Sequence, residues 1–218
     1  MRARIRDIVP RFEAILVDAF GVLIDDSGAV PRAAEFLDWL RARKTPFLVV
    51  TNDCSRLPET VAARLQAQGI TVSEEDILTS GGLIGPHLDA EGVAEGAACV
   101  VLGPEDSFEY VRRARREPID FREMHRFDAL IVGDDSGYPL LEAVDALISP
   151  LVEACLRGEP PALVLPNPDV RLPPEGARPP RARERRHRRD LRAWPPALRG
   201  RPQPPATGRA LPRDPPGR

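Results

Sequence analysis

Two short apolar segments each end in residues that could take part in phosphoryl chemistry. The run Ala14-Ile-Leu-Val leads into Asp18, and the run Phe47-Leu-Val-Val leads into Thr51 and Asn52. Such runs are typical of buried parallel strands, and parallel sheets bind ligands outside the carboxyl ends of their strands. An aspartate there can act as a nucleophile, while a threonine hydroxyl and nearby backbone N–H groups can bind a phosphoryl oxygen.

Each site taken alone also has a structural interpretation. A strand-end Asp can cap a turn, and a strand-end Thr-Asn pair is commonly just a turn. The two sites together favour chemistry, because a single predicted helix between them places both strand ends at one edge of the same sheet. Attack by Asp18 on a phosphoester would give an aspartyl-phosphate, with a divalent cation neutralising the charge of the phosphate.

Alternating apolar patterns predict the elements that position these residues. The predicted strands are 14–18, 47–51, 98–102, 127–132 and 162–165, and the predicted helices are 31–43, 58–68, 105–116 and 138–156. Pro31 suits a first helical position, and Gly69 suits the end of a helix. Strands that alternate with helices predict an α/β fold with parallel sheets.

Composition divides the chain into an acidic body and a basic tail. Residues 176–218 contain 13 arginines and three acidic residues, against 18 basic and 30 acidic residues in 1–175, which the overall charge of −2 conceals. Glycines at 81–82 and in 92–98 indicate joints within the body, because glycine favours turns. We therefore predict one α/β unit over 1–80, a second over 81–175 and a tail over 176–218.

The tail differs from the body because Arg, Pro, Ala and Gly supply 33 of its 43 residues. Such a composition cannot bury enough apolar surface to offset ordering entropy, so disorder is expected. Arginines can bind nucleic-acid phosphates, but no aromatic platform or folded motif accompanies them, which disfavours that role. Because these residues can all be encoded by codons that begin with two G or C bases, we also hypothesise a frameshift near 173–177, which resequencing would test.

The remaining sequence features exclude several classes of protein. Cys54, Cys99 and Cys155 lack metal-ligand spacing and are predicted to be ordinary buried or half-buried thiols. No signal-peptide pattern follows the N-terminus, and no segment approaches the roughly 18 apolar residues that a membrane span needs. The expected compartment is a reducing cytoplasm.

Several motifs resemble the haloacid-dehalogenase superfamily, subclass IIA, the NagD-like or nitrophenylphosphatase-like group. The core motifs are Ile15-Leu-Val-Asp18-Ala-Phe-Gly-Val-Leu23, Val49-Val-Thr51-Asn52 and Ile77-Leu-Thr79-Ser80-Gly81. The cap motifs are Asp128-Ala-Leu-Ile-Val-Gly-Asp-Asp135, Tyr138-Pro-Leu-Leu-Glu-Ala143 and Pro166-Asn-Pro-Asp169. The resemblance, over roughly residues 12–174, implies a Rossmann-like core within 1–80 and an α/β C2-type cap within 81–175.

The resemblance also implies roles for individual residues. Asp18 would be the nucleophile, and Thr51 would act with it as a catalytic, phosphate-binding hydroxyl. The implied phosphate or substrate contacts are Thr51, Asn52, Gly21, Asn167 and Asp169. The implied cofactor is Mg²⁺, bound by the carboxylate of Asp18 and the backbone carbonyl of Phe20. The implied substrate is a small phosphorylated metabolite.

Phe20 departs from the family pattern. The family's phosphatases carry an Asp two residues after the nucleophile, which protonates the leaving group and then activates water. Loss of a general acid–base typically costs on the order of 10² to 10⁴ in rate. The family's dehalogenases have an aromatic residue there, and an uncharacterised subclass IIA branch has Trp in an Asp-x-Trp-Gly motif. The cap motifs favour that branch.

A second departure from the family pattern lies beyond the cap. The family places a Lys and then an acidic Gly-Asp motif there, and neither occurs after Asp169. Gly133-Asp134-Asp135 precedes the Asn-Pro-Asp segment, so we assign it to a strand-end turn of the cap. The core is therefore expected to be incomplete, with its C-terminal part missing or frameshifted.

Two functional hypotheses remain. The first is a phosphohydrolase that acts through Asp18 and is impaired by the missing groups. The second is a non-catalytic protein of the same fold that binds a small molecule or another protein. No membrane association is expected, and a homo-oligomer is compatible with either hypothesis.

Overall fold

The structure is a computed structural model that describes residues 4–124 and 126–168. The predicted substrate contact Asp169, the tail 176–218 and the hypothesised frameshift all lie outside these residues. The described residues form two parallel sheets with helices packed against them, together with a short antiparallel hairpin. This confirms the predicted α/β fold with parallel sheets.

The first half of the chain builds a three-stranded parallel sheet in which the strand Phe47–Thr51 lies between the strands Ile15–Asp18 and Ile77–Thr79. Its elements are α1 (Ile5–Ile8), β1 (Ile15–Asp18), β2 (Ile24–Asp25), β3 (Gly28–Ala29), α2 (Ala33–Ala42), β4 (Phe47–Thr51), α3 (Pro58–Ala67) and β5 (Ile77–Thr79). Strands β2 and β3 form the hairpin. Short 3₁₀ helices lie at Val9–Arg11 and Glu74–Asp76.

One face of this first sheet is buried and the other is open. Val17 and Val49 pack with Leu37 of α2 and Leu65 of α3 in a single apolar core. Leu16, on the opposite face, is 71% exposed. The prediction that β1 is fully buried was therefore wrong, because α2 and α3 cover only one face of the sheet among the described residues.

The second half of the chain builds a four-stranded parallel sheet, whose strands in spatial order are Glu117–Ile119, Ala98–Leu102, Ala129–Val132 and Ala162–Val164. Its elements are α4 (Ile84–Ala90), β6 (Ala98–Leu102), α5 (Glu105–Arg113), β7 (Glu117–Ile119), β8 (Ala129–Val132), α6 (Leu140–Arg157) and β9 (Ala162–Val164). A 3₁₀ helix at Gly81–Leu83 precedes α4. Strand β6 has apolar cores on both faces, one shared with α4 and α5 and one with α6.

Backbone conformation explains where the observed helices differ from the predicted ones. Arg32 has φ +70°, so α2 begins at Ala33 and not at Pro31. Arg115 has φ +59°, so α5 ends at Arg113 and not at 116. The sequence patterns missed six short elements, namely α1, β2, β3, β5, α4 and β7. Within 4–124 and 126–168, no helix is long and apolar enough to cross a membrane.

Candidate active site

Asp18 and Thr51 lie at the carboxyl ends of neighbouring parallel strands. Asp18 ends β1 and pairs in register with Val50 of β4, so Thr51 lies one residue further along the sheet. The N–H of Ala19 donates to the carbonyl of Val50 at 3.2 Å and continues the ladder past the strand end. The side chain of Asp18 is exposed, so its carboxylate is accessible to a ligand.

A tight turn comes directly after Asp18. The N–H of Ile24 donates to the carbonyl of Ala19 at 3.1 Å, and the N–H of Gly21 donates to the carbonyl of Ile24 at 2.7 Å. Gly21 has φ +81°, a conformation that glycine adopts without steric cost. The turn leaves Phe20 49% exposed. An aromatic ring, and not a carboxyl group, thus occupies the position two residues after Asp18.

The loop after β4 is ordered by one carboxylate. Asp53 accepts hydrogen bonds from the N–H and the hydroxyl of Ser55, at 3.0 and 2.9 Å, and from the guanidinium of Arg56 at 2.9 Å. The N–H of Asp53 in turn donates to Thr51 Oγ1 at 3.2 Å. Thr51 acts only as an acceptor in that contact, so its hydroxyl hydrogen can still be donated to a ligand oxygen.

The carboxyl end of β8 lies against the same loop. The thiol of Cys54 donates to the carbonyl of Gly133 at 2.6 Å. Burial alone would raise the pKa of Asp134, but the N–H groups of Asp135 and Ser136, at 2.7 and 3.3 Å, donate to its carboxylate and lower that pKa. The pKa of Asp135 is raised by its hydrogen bond to Asp134 and by the charge of that group.

Helix α5 holds the start of α3 through one polar face. Asp106, Tyr110 and Arg113 share this face because they are spaced by four and three residues. Asp106 Oδ2 accepts hydrogen bonds from the N–H of Leu57, at 2.9 Å, and from the hydroxyl of Thr60, at 2.7 Å. It therefore satisfies an N–H at the start of α3 that has no partner within that helix.

Tyr110 extends this contact to the first sheet. Its hydroxyl donates to the carbonyl of Arg56 at 2.6 Å and lies 2.6 Å from Thr79 Oγ1. Burial raises the pKa of Tyr110 to about 12, so the hydroxyl stays protonated at neutral pH. Arg113 pairs with Glu59 at 2.5 Å. These contacts hold the loop that connects Thr51 to α3.

A cavity of about 770 Å³ lies where these strand ends meet. This volume is within the range of small-molecule sites. The predicted site residues that line the cavity are Asp18, Phe20, Thr51, Asn52 and Asn167. Gly21 shapes the turn but is not among the lining residues, and Asp169 lies outside the described part of the chain.

Six charged residues that sequence reasoning did not assign to the site also line the cavity, namely Asp26, Asp53, Arg56, Arg64, Asp134 and Asp135. Asp134 and Asp135 come after strand β8, and that strand-end position was the signal that could have identified them. Arg64 lies on α3 and makes no ion pair or hydrogen bond with another described residue. Its position on a helix face gave no comparable signal.

Comparisons with known proteins agree with this arrangement. Residues 15–115 match the family model for haloacid dehalogenase-like hydrolases. An acid sugar phosphatase from Staphylococcus saprophyticus is 32% identical over 95 residues, covering 42% of this chain and 35% of that protein. The 5'-nucleotidase YutF from Bacillus subtilis is 30% identical over 94 residues, covering 43% and 36%.

Solved structures extend the likeness beyond residue 115. A glycerol phosphate phosphatase from Mycobacterium tuberculosis in complex with magnesium has a TM-score of 0.57 and 31% identity, covering 76% of this chain and 47% of its own. NagD from Escherichia coli K-12 has a TM-score of 0.58 and 25% identity, covering 72% and 58%. The chain is therefore similar to members of the haloacid-dehalogenase superfamily. Its likeness is to the NagD-like members of subclass IIA.

The chain spans about a third of the length of the two curated relatives that it matches, 35% and 36% respectively.

The superfamily resemblance implies Mg²⁺ as the cofactor. This ion prefers hard oxygen ligands, so the groups around Asp18 would have to supply such oxygens. Within 4–124 and 126–168, no group of three or more His, Cys, Asp or Glu side chains is placed to hold a metal. The carboxylate of Asp18 and the carbonyl of Phe20 are nevertheless hard oxygen donors. Mg²⁺ is commonly held by one or two carboxylates together with water and substrate phosphate. The two donors therefore fit part of a Mg²⁺ site.

Proposed function

We propose that this chain binds a small phosphorylated metabolite in the cavity and that Asp18 attacks its phosphorus atom. The observation that carries the proposal is the position of Asp18 and Thr51 at adjacent strand ends beside one cavity. The relatives include a sugar phosphatase, a 5'-nucleotidase and a glycerol phosphate phosphatase, which supports a phosphomonoester of a sugar, nucleoside or polyol as the substrate.

The reaction would proceed in two displacements. In the first, a carboxylate oxygen of Asp18 forms a bond to phosphorus while the bond from phosphorus to the leaving oxygen breaks, which gives an aspartyl-phosphate. Thr51 would donate its hydroxyl hydrogen to a non-bridging phosphoryl oxygen as charge develops there. In the second displacement, water attacks the phosphorus, inorganic phosphate leaves and the carboxylate of Asp18 is restored.

Charge compensation would come from two sources. A Mg²⁺ ion held by the Asp18 carboxylate and the Phe20 carbonyl would neutralise part of the phosphate charge. The guanidinium of Arg64, which is not committed to another described residue, would attract the anionic substrate into the cavity.

We further propose that hydrolysis of ordinary phosphate esters is impaired. An alkoxide leaving group needs a proton, and the ring of Phe20 cannot supply one. The expected loss is on the order of 10² to 10⁴ in rate. A nitrophenolate leaves without protonation, so turnover of nitrophenyl phosphate should suffer much less.

The same residue favours a second candidate function, a non-catalytic protein that binds phosphorylated metabolites. Phe20 is 49% exposed beside the cavity, where hydrolysis would require an acid. Binding needs only the phosphate contacts at Thr51 and the surrounding charges, and it needs no proton donor.

The test is Mg²⁺-dependent turnover of nitrophenyl phosphate by the full chain, together with binding of sugar phosphates measured by calorimetry. Asp18→Asn should abolish turnover while leaving the unfolding curve unchanged, and the matched surface control Asp38→Asn should leave both unchanged. Unchanged turnover in Asp18→Asn would disprove the role of Asp18. Sugar-phosphate binding without any turnover in the unmodified chain would favour the second candidate.

A further inference from the structure

The longest described helix, α6, packs one face against the second sheet. Its buried residues Ala143 and Leu147 lie in the same apolar core as Val100, Leu102 and Leu130. This contact accounts for an ordinary apolar stripe of the kind that attaches a surface helix to a sheet.

Helix α6 carries a second apolar surface that this contact does not cover. Five apolar residues succeed one another at a strict spacing of four, and they are 46% to 83% exposed: Leu140, Val144, Ile148, Val152 and Leu156. Residues spaced by four form a continuous ridge on a helix. Leu141, beside this ridge, is 85% exposed. The combined apolar arc of α6 is about twice as wide as one packed face requires.

The ridge has the same sequence in both directions about its centre. Read from Leu140 to Leu156 it is Leu, Val, Ile, Val, Leu, with Ile148 in the middle. Two copies placed antiparallel about a two-fold axis near Ile148 would pair Val144 with Val152 of the other copy. A two-fold symmetric interface requires this self-complementarity. If residue i of one copy contacts residue j of the other, then residue j of the first copy also contacts residue i of the second.

The polar residues of α6 are compatible with such an arrangement. At 100° per residue, the positions on the side of the helix away from the ridge are Glu142, Ser149, Glu153 and Arg157. Glu142 accepts a hydrogen bond from Arg122 at 2.8 Å. Asp145 is exposed beside the ridge and would lie at the rim of an interface. An antiparallel pair could therefore bury the ridge while these charged groups stay in water.

The exposed area of the ridge and Leu141 is also of an appropriate size. Six exposed aliphatic residues present on the order of 500 Å², as much as the largest apolar patch of a typical monomer. Two copies would then bury roughly 1,000 Å², which is near the lower limit for a specific interface. The size therefore indicates a reversible dimer and not a permanent one.

We propose that α6 binds the same helix of a second copy of this chain, antiparallel and with the two-fold axis near Ile148. Leu140, at one end of the ridge, also lines the cavity. The antiparallel pairing would bring Leu156 of the second copy beside Leu140, at the edge of that cavity. The proposal does not depend on whether Asp18 is catalytic.

The test is the mass of the full chain by sedimentation velocity over a wide concentration range. The unmodified chain should change from monomer to dimer as its concentration rises. Ile148→Glu should raise the dissociation constant at least about tenfold, because two like charges would meet near the axis. Leu83→Glu is the matched control, since Leu83 is 56% exposed, Ile148 is 57% exposed and Leu83 lies outside the ridge.

A second variant does not depend on how well Ile148→Glu folds. In a Cys155→Ser background, Ile148→Cys should form a disulfide-linked dimer under mild oxidation, whereas Leu83→Cys should not. A chain that stays monomeric at all concentrations would overturn the proposal, as would equal crosslinking of the two cysteine variants. Assemblies that grow beyond two copies would also overturn it, because they would indicate open-ended association.

Discussion

The hydroxyl oxygens of Tyr110 and Thr79 lie 2.6 Å apart and join the two parallel sheets. Tyr110 belongs to α5, which packs against the second sheet, and Thr79 is the last residue of β5 in the first. The hydroxyl of Tyr110 also donates to the carbonyl of Arg56, so it must accept the hydrogen of Thr79. This buried contact, together with Asp106 and Arg113, holds the loop after Thr51 against the second sheet.

Tyr110→Phe should therefore lower the free energy of unfolding by about 1–3 kcal/mol, because the carbonyl of Arg56 and the hydroxyl of Thr79 would lose a partner in a buried place. Urea unfolding followed by circular dichroism measures this change. Tyr138→Phe is the control, since the hydroxyl of Tyr138 makes no hydrogen bond to another described residue. Equal losses in the two variants would contradict the importance of the contact.

Gly81→Ala should be strongly destabilising although Gly81 lies in a short 3₁₀ helix. A Cβ atom at Gly81 would lie 2.3 Å from the ring of Tyr110, a distance that only a shift of the ring or backbone could relieve. The expected cost is about 1–3 kcal/mol in thermal or urea unfolding. Gly82→Ala is the neighbouring control, because its Cβ would make an ordinary 3.6 Å contact with Thr79. A larger loss in Gly82→Ala would refute this explanation.

The one-sided burial of the first sheet predicts opposite results for two leucines. Leu65→Ala should cost about 2–5 kcal/mol in the free energy of unfolding, because Leu65 is fully buried between the sheet and α3. Leu16→Ala should change it by no more than about 0.5 kcal/mol, because Leu16 is 71% exposed. A large loss in Leu16→Ala, measured by urea unfolding, would show that the outer face of β1 is covered.

Phe20→Asp should increase hydrolysis of alkyl phosphates more than hydrolysis of nitrophenyl phosphate. The new carboxyl group would stand where the leaving oxygen needs a proton, whereas nitrophenolate leaves without one. The measurement is the ratio of the two kcat/KM values, which should shift toward the alkyl phosphate by about tenfold or more. Phe20→Asn is the control, because Asn has nearly the same size as Asp but cannot transfer a proton. An equal shift in both variants would argue against acid catalysis.

The buried thiols predict a loss of stability at high pH. Burial raises the pKa of Cys54 and of Cys99 from 9.0 to about 11. Below pH 9.0 both the folded and the unfolded chain keep these protons, so the thiols' contribution to stability is fully present. Between pH 9.0 and about 11 only the unfolded chain ionises, so the free energy of unfolding falls as pH rises.

Urea unfolding across that pH range measures the effect, and Cys99→Ala should make the pH dependence less steep. Cys155 is only half-buried, whereas Cys54 and Cys99 are buried. Among these three thiols, Cys155 should also react first with a thiol reagent in the folded chain. An unaltered slope in Cys99→Ala would rule out its buried thiol as a cause.

Elements with purely local patterns could be predicted from the amino-acid order alone. The apolar run 98–102 matches β6 residue for residue, because a strand buried on both faces has apolar residues at every position. The strand-end positions of Asp18 and Thr51 were predictable for a related reason. Parallel strands joined by a helix must place their carboxyl ends at one edge of a sheet.

Packing in three dimensions was needed to establish which surfaces are covered and which distant groups meet. The apolar pattern of β1 is the same whether one or both of its faces are packed, and α2 and α3 cover only one. The contact between Tyr110 and Thr79 joins residues 31 positions apart, and that of Cys54 with Gly133 joins residues 79 apart. Local periodicity reflects the conformation of a few neighbouring residues, whereas such contacts depend on how whole elements pack in space.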